Sequence, residues 1–176
     1  MPRNEAKHLM IEASAFVASI PAMIEINDLV EMAKRSDLHR GLHLAIFVDP
    51  YLSYIMKGLK TIESRFSVHK VAPFQQVHAG DWILLKQSGG PVIGFCEVAE
   101  PMFFRVDPSM LQSIKEKYGD EILAPLEFWT EHEKSRYCTL LKIHHVKPVI
   151  RPFSVIKRDQ RGWIVLKPGA VAGTLF

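Results

Sequence analysis

Residues 58–66 read GLKTIESRF, and the way this run is placed decides how the rest of the chain is assembled. A lysine, a glutamate and an arginine fall within six residues, between two apolar stretches. Gly58 suits the C-terminal cap of a helix, because it takes positive φ without a Cβ penalty. TIESRF then reads as a β-strand. Side chains alternate on a strand, so Thr61, Glu63 and Arg65 share one face, and Ile62 and Phe66 take the core face. Lys60 stands at the strand mouth. Spacing alone balances two readings about evenly: a solvated ion-pair cluster worth roughly 0–1 kcal/mol, and a polar array lining a cleft.

Outward from this run, HLAIFVD (43–49) has the apolar and β-branched content of a buried strand. Asp49-Pro50 gives a helix start, and PYLSYIMK a helix of about two turns. After the loop SVHKVAPFQQVHAG and Gly80-Asp81, WILLKQ and VIGFCEVAE form a hairpin around QSGGP, where Gly89 and Gly90 allow positive φ. Asp107-Pro108 starts a second helix running to Gly119, and Pro125 opens a third, LEFWTEHEKS. YCTLLKIHHV is a long strand. FSVIKR and GWIVL close the chain as two short strands. Upstream, residues 4–35 read as helical. Leu9, Met10, Ala13, Phe16, Val17 and Ile20 recur at helical spacing, and Pro21 begins a second helical piece. The sum is α+β without repeating βαβ units, which favours a small mixed or antiparallel β-barrel with flanking helices. The expected organisation is an added N-terminal helical element over 1–40, a barrel domain over 41–168 and a C-terminal tail over 169–176.

The chain has 176 residues, 48% of them hydrophobic and 23% charged, with a net charge of +3 and a pI near 8.9. These values fit one globular domain and exclude collagen-like, low-complexity and disordered classes. The mild positive charge permits a nucleic-acid partner without requiring one. Cys96 and Cys138 lie far apart in apolar surroundings, as expected of reduced, buried thiols. No run reaches the roughly 18 apolar residues of a membrane span. Glu12 and Ser14 interrupt the apolar residues near the N-terminus. The expectation is a cytoplasmic protein with no membrane partner.

Gly58-Leu59-Lys60-Thr61-Ile62-Glu63-Ser64-Arg65 resembles G-x-K-x-x-E-x-R, the signature of the ASCH domain, a branch of the PUA-like superfamily. Asp49-Pro50-Tyr51 is similar to the family's Q-P-W/Y segment, with Asp in place of Gln. Gly80-Asp81, the hairpin residue Lys86 and the G-x-x-x-V of Gly94 to Val98 extend the resemblance over roughly residues 42–166. It implies a PUA-like barrel with a cleft beside the motif, and a role in binding RNA or a nucleotide through Tyr51, Lys60, Thr61, Glu63, Arg65 and Lys86. Some members hydrolyse N-acylated cytidines and some cleave RNA, so an enzyme with Lys60 and Glu63 as catalytic residues stays open. In the amidohydrolases the position of Glu63 is a nucleophilic threonine, so that mechanism does not transfer. Those members also use a carboxylate from a later helical segment, for which Glu116 and Glu121 are the candidates here.

Lys142, Lys147, Arg151, Lys157, Arg158 and Arg161, with Lys167, make a basic tract holding a single acid, Asp159. It reads either as a phosphate-contacting face or as a solvated one. Trp163 within it belongs to a core strand, and Trp129 and Phe128 to an apolar helix face. His144 and His145 are expected on opposite faces of their strand, so no metal site is predicted, nor any cofactor. The N-terminal helices are the candidate surface for a protein partner.

Overall fold

The computed structural model describes residues 3–170. The tail expected over 169–176 therefore lies largely outside the described residues. The elements run α1 (Arg3–Ser19), β1 (Met23–Glu25), α2 (Ile26–Arg35), β2 (Leu42–Phe47), α3 (Tyr51–Met56) and β3 (Ile62–Ser67). They continue with β4 (Trp82–Gln87), β5 (Val92–Arg105), α4 (Pro108–Ile122), α5 (Leu126–Glu131), β6 (Tyr137–Ile156) and β7 (Trp163–Lys167). The class is α+β. One seven-stranded mixed sheet has the order β1-β6-β5-β4-β2-β7, with β3 on the other part of β6. The β1–β6 and β2–β4 pairs are parallel and the rest antiparallel.

Strand alternation distributes the core. Leu42, Leu44, Trp82, Leu84 and Phe153 pack with Ala13, Phe16, Val17 and Leu29 of α1 and α2. On the opposite face, Ala45, Phe47, Ile83, Leu85 and Trp163 enclose Leu52 and Ile55 of α3. Ile62, Cys138 and Leu140 carry α4 and α5 through Leu111, Ile114 and Trp129. The N-terminal element thus shares a core with the sheet. It is not continuous helix. Met23–Glu25 pairs with Ser154–Ile156, and α2 starts at Ile26 rather than at Pro21. Sheet pairing satisfies the backbone groups of 23–25, which a helix start at Pro21 would have left at its first turn.

The expected closed barrel does not form. β3 pairs only with β6 and β7 only with β2, so two strand edges face each other across a seam. The Arg65 side chain crosses it, donating from Nη2 to Ile46 O at 2.9 Å and from Nη1 to Gly162 O at 3.1 Å. Other differences are local. The expected strand FSVIKR is the end of β6, which continues past Pro148 and Pro152. α4 runs through Gly119 to Ile122, and Leu123 at φ 56 takes the left-handed cap. In the hairpin turn Gly89 has positive φ and Gly90 does not.

His144 and His145 do not point to opposite faces. Glu97 pairs with His144 and Phe95 with Lys147, so three steps on β6 match two on β5. His145 absorbs the extra residue at φ 51, the left-handed region. A bulge of this kind breaks the alternation, and the two imidazoles stack with centroids 4.0 Å apart.

Candidate functional site

α3 ends as the sequence predicts. Gly58 has φ +72 and donates its N–H to Ile55 O at 2.9 Å, while Leu59 and Lys60 both donate to Tyr54 O. This tight exit drops Lys60 under Tyr51 at the start of the same helix, with Lys60 Nζ 5.6 Å from the ring centroid. Lys60 is 3% exposed and Glu63 6%. Burial of both charges makes the solvated-cluster reading untenable.

The charged groups are tightly coupled. Arg65 donates from Nε to Glu63 Oε1 at 2.7 Å, and Lys60 Nζ lies 3.6 Å from Glu63 Oε2. Lys60 also donates to Ile122 O at 2.6 Å, at the C-terminus of α4. Its pKa is lowered by burial first, and further by Arg65, with Glu63 opposing. Arg65 spends two more donors on the β2–β7 side of the seam and packs on Phe47 and Trp163, with centroids at 4.9 and 5.4 Å. Three of its five N–H donors are engaged within the protein, so Arg65 positions Glu63 and bridges the seam.

Beside this pair lies a cavity of about 200 Å³. Its wall is Phe47, Tyr51, Lys60, Glu63, Arg65, Phe66, Phe128 and His132, with Ile46, Val48, Ser64, Ile122 and Ala124. Both faces of β3 contribute because the cavity runs along its unpaired edge, where side chains of either orientation reach the rim. Phe66 and Phe128, expected in the core, are half-buried here. His132 stacks on Phe66 at 4.9 Å and meets Phe128 edge-on at 4.4 Å. Burial lowers the His132 pKa, with Glu131 opposing. Tyr51 is pushed up, first by burial and then by Glu131 and Glu63. His132 carried no motif in the sequence, and only the turn after α5 brings it in.

Other predicted residues fall elsewhere. The Thr61 side chain is exposed and outside the cavity. Lys86 is 8% exposed, lies outside the cavity and donates to Gln87 O. Burial and the neighbouring Lys157 lower its pKa. Glu116 accepts from Gln112 on α4, and Glu121 holds Thr61 N–H through its backbone carbonyl. Neither glutamate lines the cavity. The basic tract is divided. Lys142 pairs with Glu100 at 2.7 Å, Lys157 and Arg161 share Asp159, and Lys167 binds Ser36 O and Leu38 O. Lys147 and Arg151 line a separate groove of about 360 Å³ along α1, and Arg158 is exposed. Trp163 is core, 4% exposed, donating from Nε1 to His43. Cys96 and Cys138 are free and buried, and burial pushes both thiols up.

The ASCH protein of Zymomonas mobilis superposes with a TM-score of 0.57 at 15% identity, over 72% of this chain and 87% of that one. A single-substitution variant of it gives 0.58 at 16%, over 73% and 90%. The chain has the fold of an ASCH domain. A second variant gives 0.51 at 19%, over 65% and 76%. No family model matches the sequence, and no curated protein matches it. Within the ASCH fold of this chain, the G-x-K-x-x-E-x-R residues divide their labour. Gly58 turns the chain, Lys60 and Glu63 face the cavity, and Arg65 ties the seam. No helix among the described residues is long and apolar enough to cross a membrane.

Proposed function

We propose that the cavity binds one unstacked base of an RNA or nucleotide. The observation that carries this reading is a buried Lys60–Glu63 pair at the wall of an aromatic-lined cavity of about 200 Å³. That volume lies below the roughly 300–1,000 Å³ of pockets for drug-sized ligands. It suits a single ring system, with the sugar and phosphate outside. Recognition of single-stranded nucleic acid uses aromatic stacking and hydrogen bonds to base edges. Phe66, Phe128, Tyr51 and His132 supply the rings. Glu63 would accept from an exocyclic amine, and Lys60 would donate to a ring carbonyl. Within the basic tract, Lys142, Lys157 and Arg161 already have acid partners. Of that tract, Arg158, Lys147 and Arg151 are exposed and have no acid partner among the described residues.

Calorimetric titration with short single-stranded RNAs and with the four nucleosides tests this. Saturable binding that Glu63→Gln weakens for amine-bearing bases supports it. Binding that is absent, or unchanged in Glu63→Gln, refutes it. Salt sharpens the test: each phosphate contacted adds a log–log slope of about −0.7 for a single strand, so base capture predicts a shallow slope.

A specific observation also favours a hydrolase. Burial lowers the pKa of Lys60 and of His132 in the same cavity, and a buried lysine is a recognised general base. Glu63, with its oxygens facing Arg65 and Lys60, would orient that lysine and not act as the base itself. Turnover of an N-acylated cytidine or of RNA that disappears in Lys60→Ala would establish this second reading.

A further inference from the structure

The bulge in β6 creates a second constellation, outside the cavity. The left-handed turn at His145 (φ 51) brings its ring onto the side of His144, and the planes stack at 21°. Both rings then face one carboxylate oxygen across the β5–β6 ladder. Glu97 Oε2 is 2.8 Å from His145 Nδ1 and 3.5 Å from His144 Nε2. One nitrogen from each ring and one carboxylate oxygen all lie within 4.8 Å of each other.

We propose that Glu97, His144 and His145 bind one first-row divalent transition metal ion of the Zn²⁺ class. Two imidazoles and a carboxylate are a donor set for zinc and its neighbours, not for Mg²⁺ or Ca²⁺, which take oxygen ligands. Metal–ligand bonds of about 2.1 Å in a tetrahedron place ligand atoms about 3.4 Å apart. The 3.5 Å separation matches this, and the 2.8 Å hydrogen bond would open by about 0.6 Å. A proton on His145 Nδ1 satisfies that ring alone and leaves His144 Nε2 distant, whereas a dication serves all three groups. Side-chain exposures of 44%, 47% and 18% leave the remaining positions to water. A left-handed backbone at a histidine is a strained choice for a plain strand, and it is the feature that makes the two rings converge. The ion would staple β5 to β6 where their ladder is interrupted.

The test uses the full chain stripped with a chelator and titrated with ZnCl₂ by calorimetry. Co²⁺ absorption reports coordination number. The expected result is one saturable site, untouched by excess Mg²⁺. His145→Gly suits the backbone geometry and removes a ligand, so it is expected to keep the fold and to weaken binding by about 100-fold, as is Glu97→Gln. His39→Ala is the control, because His8 and His39 share Glu12 elsewhere on the surface, at 3.1 and 3.2 Å. Binding that is absent, persists in His145→Gly, or is lost in His39→Ala overturns the proposal. Base binding by the Lys60 cavity is independent of these variants, so the two proposals fail separately.

Discussion

Two buried polar clusters stand on one sheet, and they are built to different ends. In the first, Asp81 is 1% exposed and accepts from Gly41 N–H, His78 N–H and His43 Nε2–H, at 3.0, 2.9 and 2.9 Å. His43 Nδ1 accepts from Trp163 Nε1–H at 3.2 Å, which fixes the proton on Nε2. The network joins β2, the start of β4 and β7, and leaves no room: a Cβ on Gly41 would meet Asp81 at 2.7 Å and Gly169 N at 2.7 Å. In the second cluster, Lys60 and Glu63 are equally buried but border a cavity. One ring nitrogen at the edge of the Asp81 cluster, His78 Nδ1, is buried without a hydrogen-bond partner among the described residues, 3.7 Å from Asp81 Oδ2. Hydrogen-bonded polar groups in a closed packing hold a fold together, whereas a buried charge pair beside open volume is poised for a ligand.

The contrast breaks first at Asp81. Asp81→Ala strands the buried donors of Gly41, His43 and His78, and is expected to cost about 3–5 kcal/mol. Urea unfolding measures this, and a loss under 1 kcal/mol would place the cluster outside the structural frame. Lys60→Met should do the reverse. Arg65 still pairs with Glu63, and the desolvated charge is gone, so stability should stay within about 1 kcal/mol of the parent. The base-binding free energy should fall by about 2–3 kcal/mol, as for a hydrogen bond to a charged group. Calorimetry and a denaturant melt on one sample separate the two numbers.

Gly58→Ala sharpens the comparison by about 1 kcal/mol of stability. A Cβ there meets nothing within 4 Å, so the cost comes from φ +72 alone. Gly58→Asn, which tolerates that region better, should recover part of it. The smallest signal is a pH slope. Lys60 is held below its ordinary 10.5 by burial, so between its folded pKa and 10.5 the unfolded chain binds the proton that the folded one has released. Stability from this group therefore rises as pH climbs through that window, and is lost as pH falls through the folded pKa. Subtracting the Lys60→Met profile from the parent isolates the rise from other groups. A flat difference would mean that Lys60 stays protonated throughout.

The local elements were legible because their causes are local. The apolar run of 42–47, the Asp107 cap accepting from Met110 N–H at 2.7 Å, and the Gly58 turn all rest on neighbours in sequence. So did the convergence of Lys60 and Glu63, three residues apart across a helix exit. Failures gathered where distant chain decides. Met23–Glu25 became a strand because β6 offered an edge. Phe128 packs against the edge of the α4–α5 core and meets Phe66 at 5.8 Å on the cavity wall, and the histidine pair converged because β5 and β6 differ by one residue in register.

By itself the sequence determined an α+β chain, the ASCH-like motif and which residues of that motif carry charge. The class follows from periodicity and caps, and the motif from its resemblance to the family signature; both are carried by short stretches of chain. The tertiary structure alone decided that the sheet stays open and that Arg65 spends its donors on Ile46 and Gly162 across the seam. It also decided that His132 joins Lys60 in one cavity, and that His144 and His145 face the same carboxylate. Each of these depends on strand pairing between segments far apart in the chain. Register and desolvation arise only when those segments meet.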